Sequence, residues 1–233
     1  MRLDLYLVEK NLVKTRSEAT DLIKNGFVLV NDKLITKAGF NILLTDEISL
    51  LKARKYVSRA GEKLEQALIK FNLDVNDKII IDVGSSTGGF TDCCLKNNAK
   101  YVYAYEIGTN QMDLSLRESQ KISLFEKTDF LKINIPLADL IVIDVSFTSI
   151  KPILNHTSKT NSQIIALIKP QFEANARNLN KNGVIKSDKI NDRIIEELIN
   201  YIKKDLHYKV CGLIKAELKG KKGNQEYLVY LKK

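Results

Sequence analysis

The chain has 233 residues, 44% of them hydrophobic, which is enough for one large domain or for one medium and one small domain. Its formal net charge of +9 favours a polyanionic partner, a nucleic acid or an acidic membrane, although a lysine-rich solvated surface gives the same count. No apolar run approaches the roughly 18 residues of a membrane helix, and the three cysteines show neither a paired framework nor metal-ligand spacing; with no signal peptide, this predicts a cytoplasmic protein with reduced thiols and no metal site.

Residues 1–51 have the pattern of a small α+β domain. The segment MRLDLYLVEKNL places its apolar residues near helical spacing, which predicts a first helix. In TRSEATDLIKNG, either Thr15 or Ser17 can cap a second helix, and Gly26 ends it. FVLVNDKLI then alternates apolar and polar residues around Asn31 and Asp32, which predicts a hairpin, and DEISLL predicts a last short strand.

This first segment resembles the small S4-type RNA-binding domain of ribosomal proteins and RNA-modifying enzymes. The resemblance is carried by R-L-D-x-Y-L, T-R-S-E-A-x-x-L-I-K-x-G and V-x-V-N, which together cover nearly the whole unit. It implies that Arg2, Arg16 and Lys24 face RNA. Each of the three also has an ordinary alternative interpretation as a solvated helix cation.

Residues 52–57, KARKYV, are mainly charged and predict a linker. A helix is expected to begin at Ser58, with an apolar stripe along SRAGEKLEQAL. Two cations of this stretch, Arg54 and Arg59, are further RNA-binding candidates.

Residues 58–233 alternate short apolar runs with helical segments. Such runs are typical of parallel strands that are buried on both faces. The order predicts a doubly wound α/β sheet that ends in an antiparallel hairpin, closed by the turn KGKKGN. The predicted strands are KIIIDVG, YVYAYEIG, ISLFEKTDF, DLIVIDVSF, QIIALIKPQF, YKVCGLIKAEL and QEYLVYLKK.

The segment IDVGSSTGG lies at the end of the first strand, where ligands of such sheets bind. It lacks the lysine of a nucleotide P-loop and the spacing of a dinucleotide fingerprint, while Asp82 suits a ligand with an ammonium group, such as S-adenosylmethionine. Glu106, after the second strand, can accept the ribose hydroxyls, and Asp129, which ends the third predicted strand, can accept the adenine amino group. These features predict a Rossmann-like class I methyltransferase sheet. The full set of predicted donor-binding residues is Asp82, Gly84, Ser85, Ser86, Thr87, Gly88, Gly89, Glu106, Asp129 and Asp144.

Four further residues indicate the acceptor. Lys63 precedes the sheet, Asp144 and Lys169 end the fourth and fifth strands, and Glu226 opens the last strand. Buried charges must be paired, so these lysines and acids would form one coupled cluster. A lysine there can take the proton of a ribose hydroxyl or steady the developing alkoxide. The sequence IDVSF lacks the Pro-Pro-Tyr of many N-methylating enzymes, and no nucleophilic cysteine for cytosine-carbon methylation lies near this strand.

The segments SRAGEKL, DVGSSTGGFTDCCL, IDVSFTSI, LIKPQFE and GNQEYLVY resemble the TlyA family, also called haemolysin A, over essentially the full length. That family is similar to FtsJ-type ribose methyltransferases. The resemblance implies a Lys-Asp-Lys-Glu catalytic tetrad at Lys63, Asp144, Lys169 and Glu226, and 2'-O-methylation of cytidine in ribosomal RNA. The chain ends match the shorter members of the family, which implies the large subunit as substrate. The G-N-x-E-Y context favours Glu226 over Glu217 as the tetrad acid.

Three hypotheses follow. The leading one is an RNA ribose methyltransferase acting on ribosomal RNA or a ribosomal subunit; the others are a non-catalytic ribosome assembly factor and, least favoured, a membrane-active haemolysin. We favour a monomer. The role of Glu173 stays open between contacting substrate and capping the strand end. The leading hypothesis requires Lys63 and Glu226 to lie at the same edge of the sheet as Gly84.

Overall fold

The structure, a computed structural model, describes residues 1–13, 15–24, 26–51, 55–220 and 222–233. The chain divides into two compact units, Met1–Arg54 and Lys55–Lys233.

The first unit is a small α+β domain, as predicted. Its two helices are α1 (Leu3–Glu9) and α2 (Arg16–Lys24), and its strands are β1 (Val28–Val30), β2 (Lys33–Ile35) and β3 (Ile48–Leu50). The strands pair antiparallel in the order β2-β1-β3. One apolar cluster joins the helices to this sheet, and its buried members are Leu3, Leu7, Val13, Ala19, Ile23, Val28, Val30 and Ile42.

Local chemistry explains where the elements of this unit begin and end. The hydroxyl of Thr15 accepts a hydrogen bond from the backbone N–H of Glu18 (3.1 Å), so Thr15 rather than Ser17 caps α2. Asn31 and Asp32 have φ angles of +49° and +60°, which confirms the two-residue hairpin turn. Gly26, with φ of +74°, lies in the left-handed region just after α2.

The second unit is built on a seven-stranded sheet. Its strand order is β6-β5-β4-β7-β8-β10-β9, with β4 to β8 parallel and β10 antiparallel to both of its neighbours. Because β5 lies on one side of β4 and β7 on the other, the strand order reverses at β4, the position at which doubly wound folds bind ligands. The strands are β4 (Ile79–Val83), β5 (Tyr101–Tyr105), β6 (Ile122–Phe125), β7 (Leu140–Ile143), β8 (Gln163–Ile168), β9 (Lys209–Lys215) and β10 (Tyr227–Lys232).

Helices cover both faces of this sheet. Alternate strand residues point to opposite faces, so Ile80 packs on one side and Ile81 on the other. One core includes α3 to α5, and the other includes α6 and α8. The helices are α3 (Arg59–Lys70), α4 (Gly89–Lys96), α5 (Leu114–Arg117), α6 (Lys151–Thr157), α7 (Pro170–Glu173) and α8 (Asp188–Lys204).

The structure differs from the prediction at the end of the proposed linker. Tyr56 is only 1% exposed, and the backbone N–H of Val57 donates to the Asp92 carboxylate (2.8 Å). The apolar ring of Tyr56 and this hydrogen bond attach residues 56 and 57 to the second unit rather than to a linker. Arg54 lies outside the described residues.

Helices α3 and α4 touch where both begin. A Cβ atom added to Gly61 would lie 2.8 Å from the Gly89 carbonyl oxygen, closer than packed atoms allow. Only glycine permits this approach, so SRAGEKL has a packing reason for its glycine. The contact places the first turn of α3, and therefore Lys63, against the helix that follows the glycine loop.

Candidate functional site

The glycine loop runs from β4 to α4 and lies against the end of β7. The backbone N–H groups of Gly84 and Ser85 both donate to the Tyr105 carbonyl (2.9 and 3.1 Å), which attaches the loop to β5. Gly84 and Gly88 have φ angles of +81° and +89°, in the left-handed region that favours glycine. A Cβ atom on Gly84 would lie 2.9 Å from the Asp144 carbonyl oxygen, so the loop leaves no room for a side chain there.

Glu106 directly follows β5, as predicted, and its carboxylate is oriented by the loop. Each carboxylate oxygen accepts one backbone hydrogen bond, from Ser86 (2.9 Å) and from Gly108 (2.7 Å). Gln111 adds a weaker contact to Glu106 at 3.4 Å and accepts from the Ser86 hydroxyl (3.0 Å). Oε1 accepts from both Gly108 and Gln111, whereas Oε2 accepts from Ser86 and keeps a lone pair that can accept a hydroxyl group of a ligand.

Asp129 does not end the third strand of this sheet, contrary to the prediction. Strand β6 ends at Phe125, and a turn separates it from Asp129. The Asp129 side chain caps a short 3₁₀ helix by accepting from the Leu131 N–H (3.0 Å). The neighbouring Thr128 N–H donates to the Glu106 carbonyl (3.1 Å), so the turn still brings Asp129 to the edge that carries Glu106.

Asp82 lies inside β4, fully buried beneath the loop. One oxygen accepts from the Thr91 hydroxyl of α4 (2.6 Å), and the other has no hydrogen-bond partner among the described residues. The pKa of this carboxyl is raised to about 7, chiefly by burial; the charges of Asp144 and Glu106 also raise it, and the hydrogen bonds from Thr91 lower it. The side chain therefore supports the loop from within the sheet, and direct contact with a ligand stays a prediction.

This buried carboxyl makes stability depend on pH. From the ordinary pKa of 3.8 up to about 7, the folded protein retains a proton that the unfolded chain has lost, so the free energy of unfolding falls as pH rises through this window. In the Asp82→Asn variant, the decrease in this free energy between about pH 5 and 8 should be smaller by roughly 2–3 kcal/mol. Urea unfolding at both pH values measures it. Exposed Asp77, changed to Asn, is the control and should leave the decrease unaltered.

The four residues of the predicted tetrad form two ion pairs. Lys63 Nζ lies 2.5 Å from Glu226 Oε2, and Lys169 Nζ lies 2.6 Å from Asp144 Oδ1. Lys169 also donates to the Ser146 hydroxyl (2.7 Å). Glu226 and Lys63 are almost fully buried, with side chains 4% and 10% exposed, so neither charge can rely on water in place of its partner.

Strand register brings both pairs to the edge of the sheet that carries the glycine loop. Val83 pairs with Ile143, so Gly84 and Asp144 leave the sheet side by side. Strand β10 runs antiparallel to β8, and its first residue pairs with Ile168. Glu226 therefore enters the sheet where Lys169 leaves it. Lys63 and Glu226 therefore lie at the same edge of the sheet as Gly84, as the leading hypothesis requires.

Two exposed apolar side chains at this edge were missed by the sequence analysis. Phe147, 92% exposed, follows Asp144 by three residues and has a φ of +65°, which is strained for an aromatic residue. Its ring packs against Phe172 (5.4 Å between centroids). Ile107, 75% exposed, directly follows Glu106. For Ile107, the signal available in the sequence was an apolar residue immediately beyond a strand-end acid.

Glu173, whose role stays open between contacting substrate and capping the strand end, has two hydrogen-bond partners in the segment after β7. Its carboxylate accepts hydrogen bonds from the Ser149 hydroxyl (2.6 Å) and from the Ile150 N–H (2.8 Å). Glu173 therefore holds the segment between Asp144 and α6, which carries Phe147, against α7.

In the first unit, a buried acid orients two of the predicted RNA-binding arginines. Asp4 is 1% exposed and accepts two hydrogen bonds from Arg2 and one from Arg16, all 2.9 Å long. The Arg2 guanidinium is the largest cause that holds the pKa of Asp4 far below its usual range. The arginine side chains are 46% and 56% exposed, so both are accessible from solvent.

The other predicted RNA-binding cations are placed less distinctively. Lys24 is exposed in the last turn of α2, and Arg59 is the half-buried first residue of α3. Neither position by itself indicates RNA, so both assignments stay predictions.

Two family models match this chain. Residues 56–233 match the FtsJ-like methyltransferase family, and residues 1–48 match the S4 domain. The two matches together span nearly all of the chain, in the order predicted from the sequence.

Individual relatives agree with these matches. Hemolysin A of Brachyspira hyodysenteriae is 40% identical, with 99% of each chain covered. The 23S rRNA (cytidine-2'-O)-methyltransferase TlyA of Campylobacter jejuni is 37% identical, with 99% of this chain and 98% of the relative covered. A solved structure from Streptococcus thermophilus that carries a hemolysin name is 36% identical, has a TM-score of 0.76, and covers 100% of this chain and 88% of its own.

Within the described part of the chain, no helix has the length and apolar character needed to cross a membrane.

Proposed function

Because the chain belongs to the FtsJ-like methyltransferase family, we propose that it methylates the ribose 2'-oxygen of a cytidine in ribosomal RNA. The methyl donor of this family is S-adenosylmethionine. The observation that carries the proposal is the pair of lysine–carboxylate contacts beside the glycine loop, because this arrangement suits a hydroxyl acceptor.

The residues around the loop fit the proposed donor. Glu106 Oε2 keeps a lone pair for one ribose hydroxyl, and a second hydroxyl can replace the weak 3.4 Å contact of Gln111 with Oε1. Ile107 offers an apolar surface for the adenine face. The Ser85 hydroxyl is buried without a hydrogen-bond partner among the described residues, so the loop holds a polar group that a ligand can satisfy. Asp129 remains the proposed acceptor for the adenine amino group.

We propose that Lys169 and Asp144 act directly on the acceptor ribose. When bound, S-adenosylmethionine supplies an electrophilic methyl group, which becomes bonded to the ribose oxygen as the carbon–sulfur bond breaks and its electron pair stays on sulfur. The ribose hydroxyl loses its proton to the Asp144 carboxylate, and the ammonium of Lys169 stabilises the negative charge that develops on the ribose oxygen. Lys63 and Glu226 hold the neighbouring side of the acceptor site in place.

The S4 domain supports RNA as the partner. Asp4 holds two exposed guanidinium groups in one orientation, and guanidinium groups with free donors bind phosphate well. We propose that Arg2 and Arg16 contact the RNA backbone, with Lys24, Arg54 and Arg59 as further contacts.

An Arg16→Ala variant tests this surface. Affinity for the ribosomal subunit is expected to fall several-fold, and the slope of log affinity against log salt should become shallower by about one unit, because one phosphate contact is lost. Filter binding across a salt series measures both quantities. The control is Lys33→Ala on β2, an exposed cation of the same unit that should change neither. Equal slopes for wild type and Arg16→Ala would exclude a phosphate contact by Arg16.

We propose the large subunit as the substrate and the cytoplasm as the location. The support is the Campylobacter relative, whose name specifies 23S rRNA and which this chain matches along 98% of its length.

The proposed function is tested by incubating the protein with labelled S-adenosylmethionine and unmethylated large or small subunits. Label is expected in large-subunit RNA, at one cytidine whose 3' linkage resists alkaline cleavage because its 2'-oxygen is methylated. Donor and subunit binding without transfer would instead support an assembly factor. If the wild-type protein lyses red cells and Lys169→Met lyses them to the same extent, the result would support a membrane activity.

A further inference from the structure

A tight turn leads into Glu226 and packs against its carboxylate. The backbone N–H of Gly220 donates to the Asn224 carbonyl (2.9 Å), and the N–H of Gly223 donates to the Gly220 carbonyl (2.8 Å). We call these three residues, Gly220, Gly223 and Asn224, the Glu226 turn. From the sequence, KGKKGN is predicted only to be a turn that connects two strands.

Gly220 leaves the space that one carboxylate oxygen occupies. A Cβ atom at this position would lie 2.5 Å from Glu226 Oε1, a separation that packed atoms do not reach. The φ angle of Gly220 is outside the left-handed region, so backbone conformation does not require glycine here. The requirement comes from the contact with Glu226.

Asn224 anchors the turn to a distant segment of the same unit. It is 3% exposed; its amide oxygen accepts from the Ile185 N–H, and its amide nitrogen donates to the Gly183 carbonyl, both at 3.0 Å. These two bonds join segments 39 and 41 residues apart. Side chains that satisfy buried backbone groups in this way restrict the loops they connect.

The Glu226 carboxylate is therefore enclosed from two sides. Its Oε2 lies 2.5 Å from Lys63 Nζ, and its Oε1 faces the backbone of Gly220. With the residue only 3% exposed, water has little access to either oxygen. A shift of the turn would move the carboxylate and, with it, the ammonium group of Lys63.

We propose that Gly220 and Asn224 are positioning residues that fix the Glu226 carboxylate against Lys63 and so set the geometry of the acceptor site. This inference rests on the proposed function. Gly220 acts through the space it leaves, and Asn224 acts through the two hydrogen bonds that anchor the turn. Neither residue touches the reacting atoms.

Two variants perturb the turn in different ways. Gly220→Ala forces the carboxylate to move while it leaves the anchor intact, and Asn224→Ala removes the anchor while it leaves the space. Both are expected to lower the single-turnover rate of methyl transfer, at saturating donor and subunit, by about 10-fold or more. Misplacing the groups of an active site by about 1 Å lowers the rate by this order or more. The dissociation constants of donor and subunit should stay within about twofold of wild type.

The control is Lys222→Ala, in the same segment. The Lys222 side chain is exposed, so its removal changes neither the space beside Glu226 nor the hydrogen bonds of Asn224. This variant should retain the wild-type rate. Thermal melting of all three variants shows whether each one is folded at the assay temperature.

The outcomes separate this inference from the proposed function. If the wild-type protein transfers no methyl group, the proposed function fails. If the wild type transfers and both Gly220→Ala and Asn224→Ala keep its rate, positioning by the turn is wrong. A rate loss accounted for by unfolded protein or by weaker donor or subunit binding also overturns it, because a merely structural role produces that pattern.

Discussion

Replacement of Lys169 by methionine is expected to lower the rate of methyl transfer by about 100- to 10,000-fold, the range that one acid–base or charge-stabilising group contributes. Methionine has nearly the volume of the lysine stem but carries no charge, so the site keeps its shape. Asp144 loses its cation 2.6 Å away, and the developing oxyanion loses its stabilising charge. The measurement is single-turnover transfer of labelled methyl to ribosomal subunits.

Binding measurements show whether the lower rate arises in the chemical step rather than in donor binding. Donor affinity, measured by calorimetry, is expected to stay within a few-fold, because Glu106 and the glycine loop are untouched. Lys159→Met, which removes an exposed cation from the same unit, should transfer at the wild-type rate. Undiminished transfer by Lys169→Met would reject the role assigned to Lys169.

The sequence predicted the positions of the strand-end residues because parallel strands impose a simple rule. Except in β4, where Asp82 is followed by Val83, each buried apolar run ends where the first polar residue follows it, and all carboxyl ends of parallel strands meet at one edge. Glu106, Asp144 and Lys169 each follow their strand directly, as this rule requires. Asp129 departs from the rule because a turn, with Lys127 at a φ of +53°, continues the chain beyond the end of β6.

Contacts between distant segments could not be predicted from the sequence. The cluster of two lysines and two acids was predicted, but which lysine pairs with which acid depends on how α3 crosses the sheet. The close approach of Gly61 and Gly89 decides this crossing. Likewise, nothing near Asn224 in the chain indicates its partners, because Gly183 and Ile185 reach it only through the tertiary fold.

The burial of Asp82 could have been predicted from the sequence. In IIIDV, strand alternation places Ile80 and Asp82 on the same face. Both faces of a doubly wound sheet are covered by helices, so the acid had to be enclosed, and an enclosed acid needs a polar partner. Thr91 is that partner, and it lies on the helix that follows the glycine loop.

The pair of Lys63 and Glu226 allows stability and catalysis to be separated. Changing Lys63 to methionine leaves a carboxylate that is 4% exposed without its cation, and breaking a buried ion pair in this way costs about 3–5 kcal/mol of unfolding free energy. The double variant Lys63→Met with Glu226→Gln removes both charges at similar volume. It is expected to recover most of the lost stability, because no unpaired charge remains. Urea unfolding of the wild type, both single variants and the double variant gives the coupling.

Methyl transfer should not recover with stability in that double variant. If Lys63 and Glu226 shape the acceptor site through their charges, the rate stays low, by about 10-fold or more relative to wild type, although the protein is folded. Recovery of both stability and rate would show that the pair serves folding alone. The tetrad would then reduce to Asp144 and Lys169, and the Glu226 turn would have no role in catalysis. The comparison of the wild type, the two single variants and the double variant therefore decides how far the catalytic site extends beyond the Asp144–Lys169 pair.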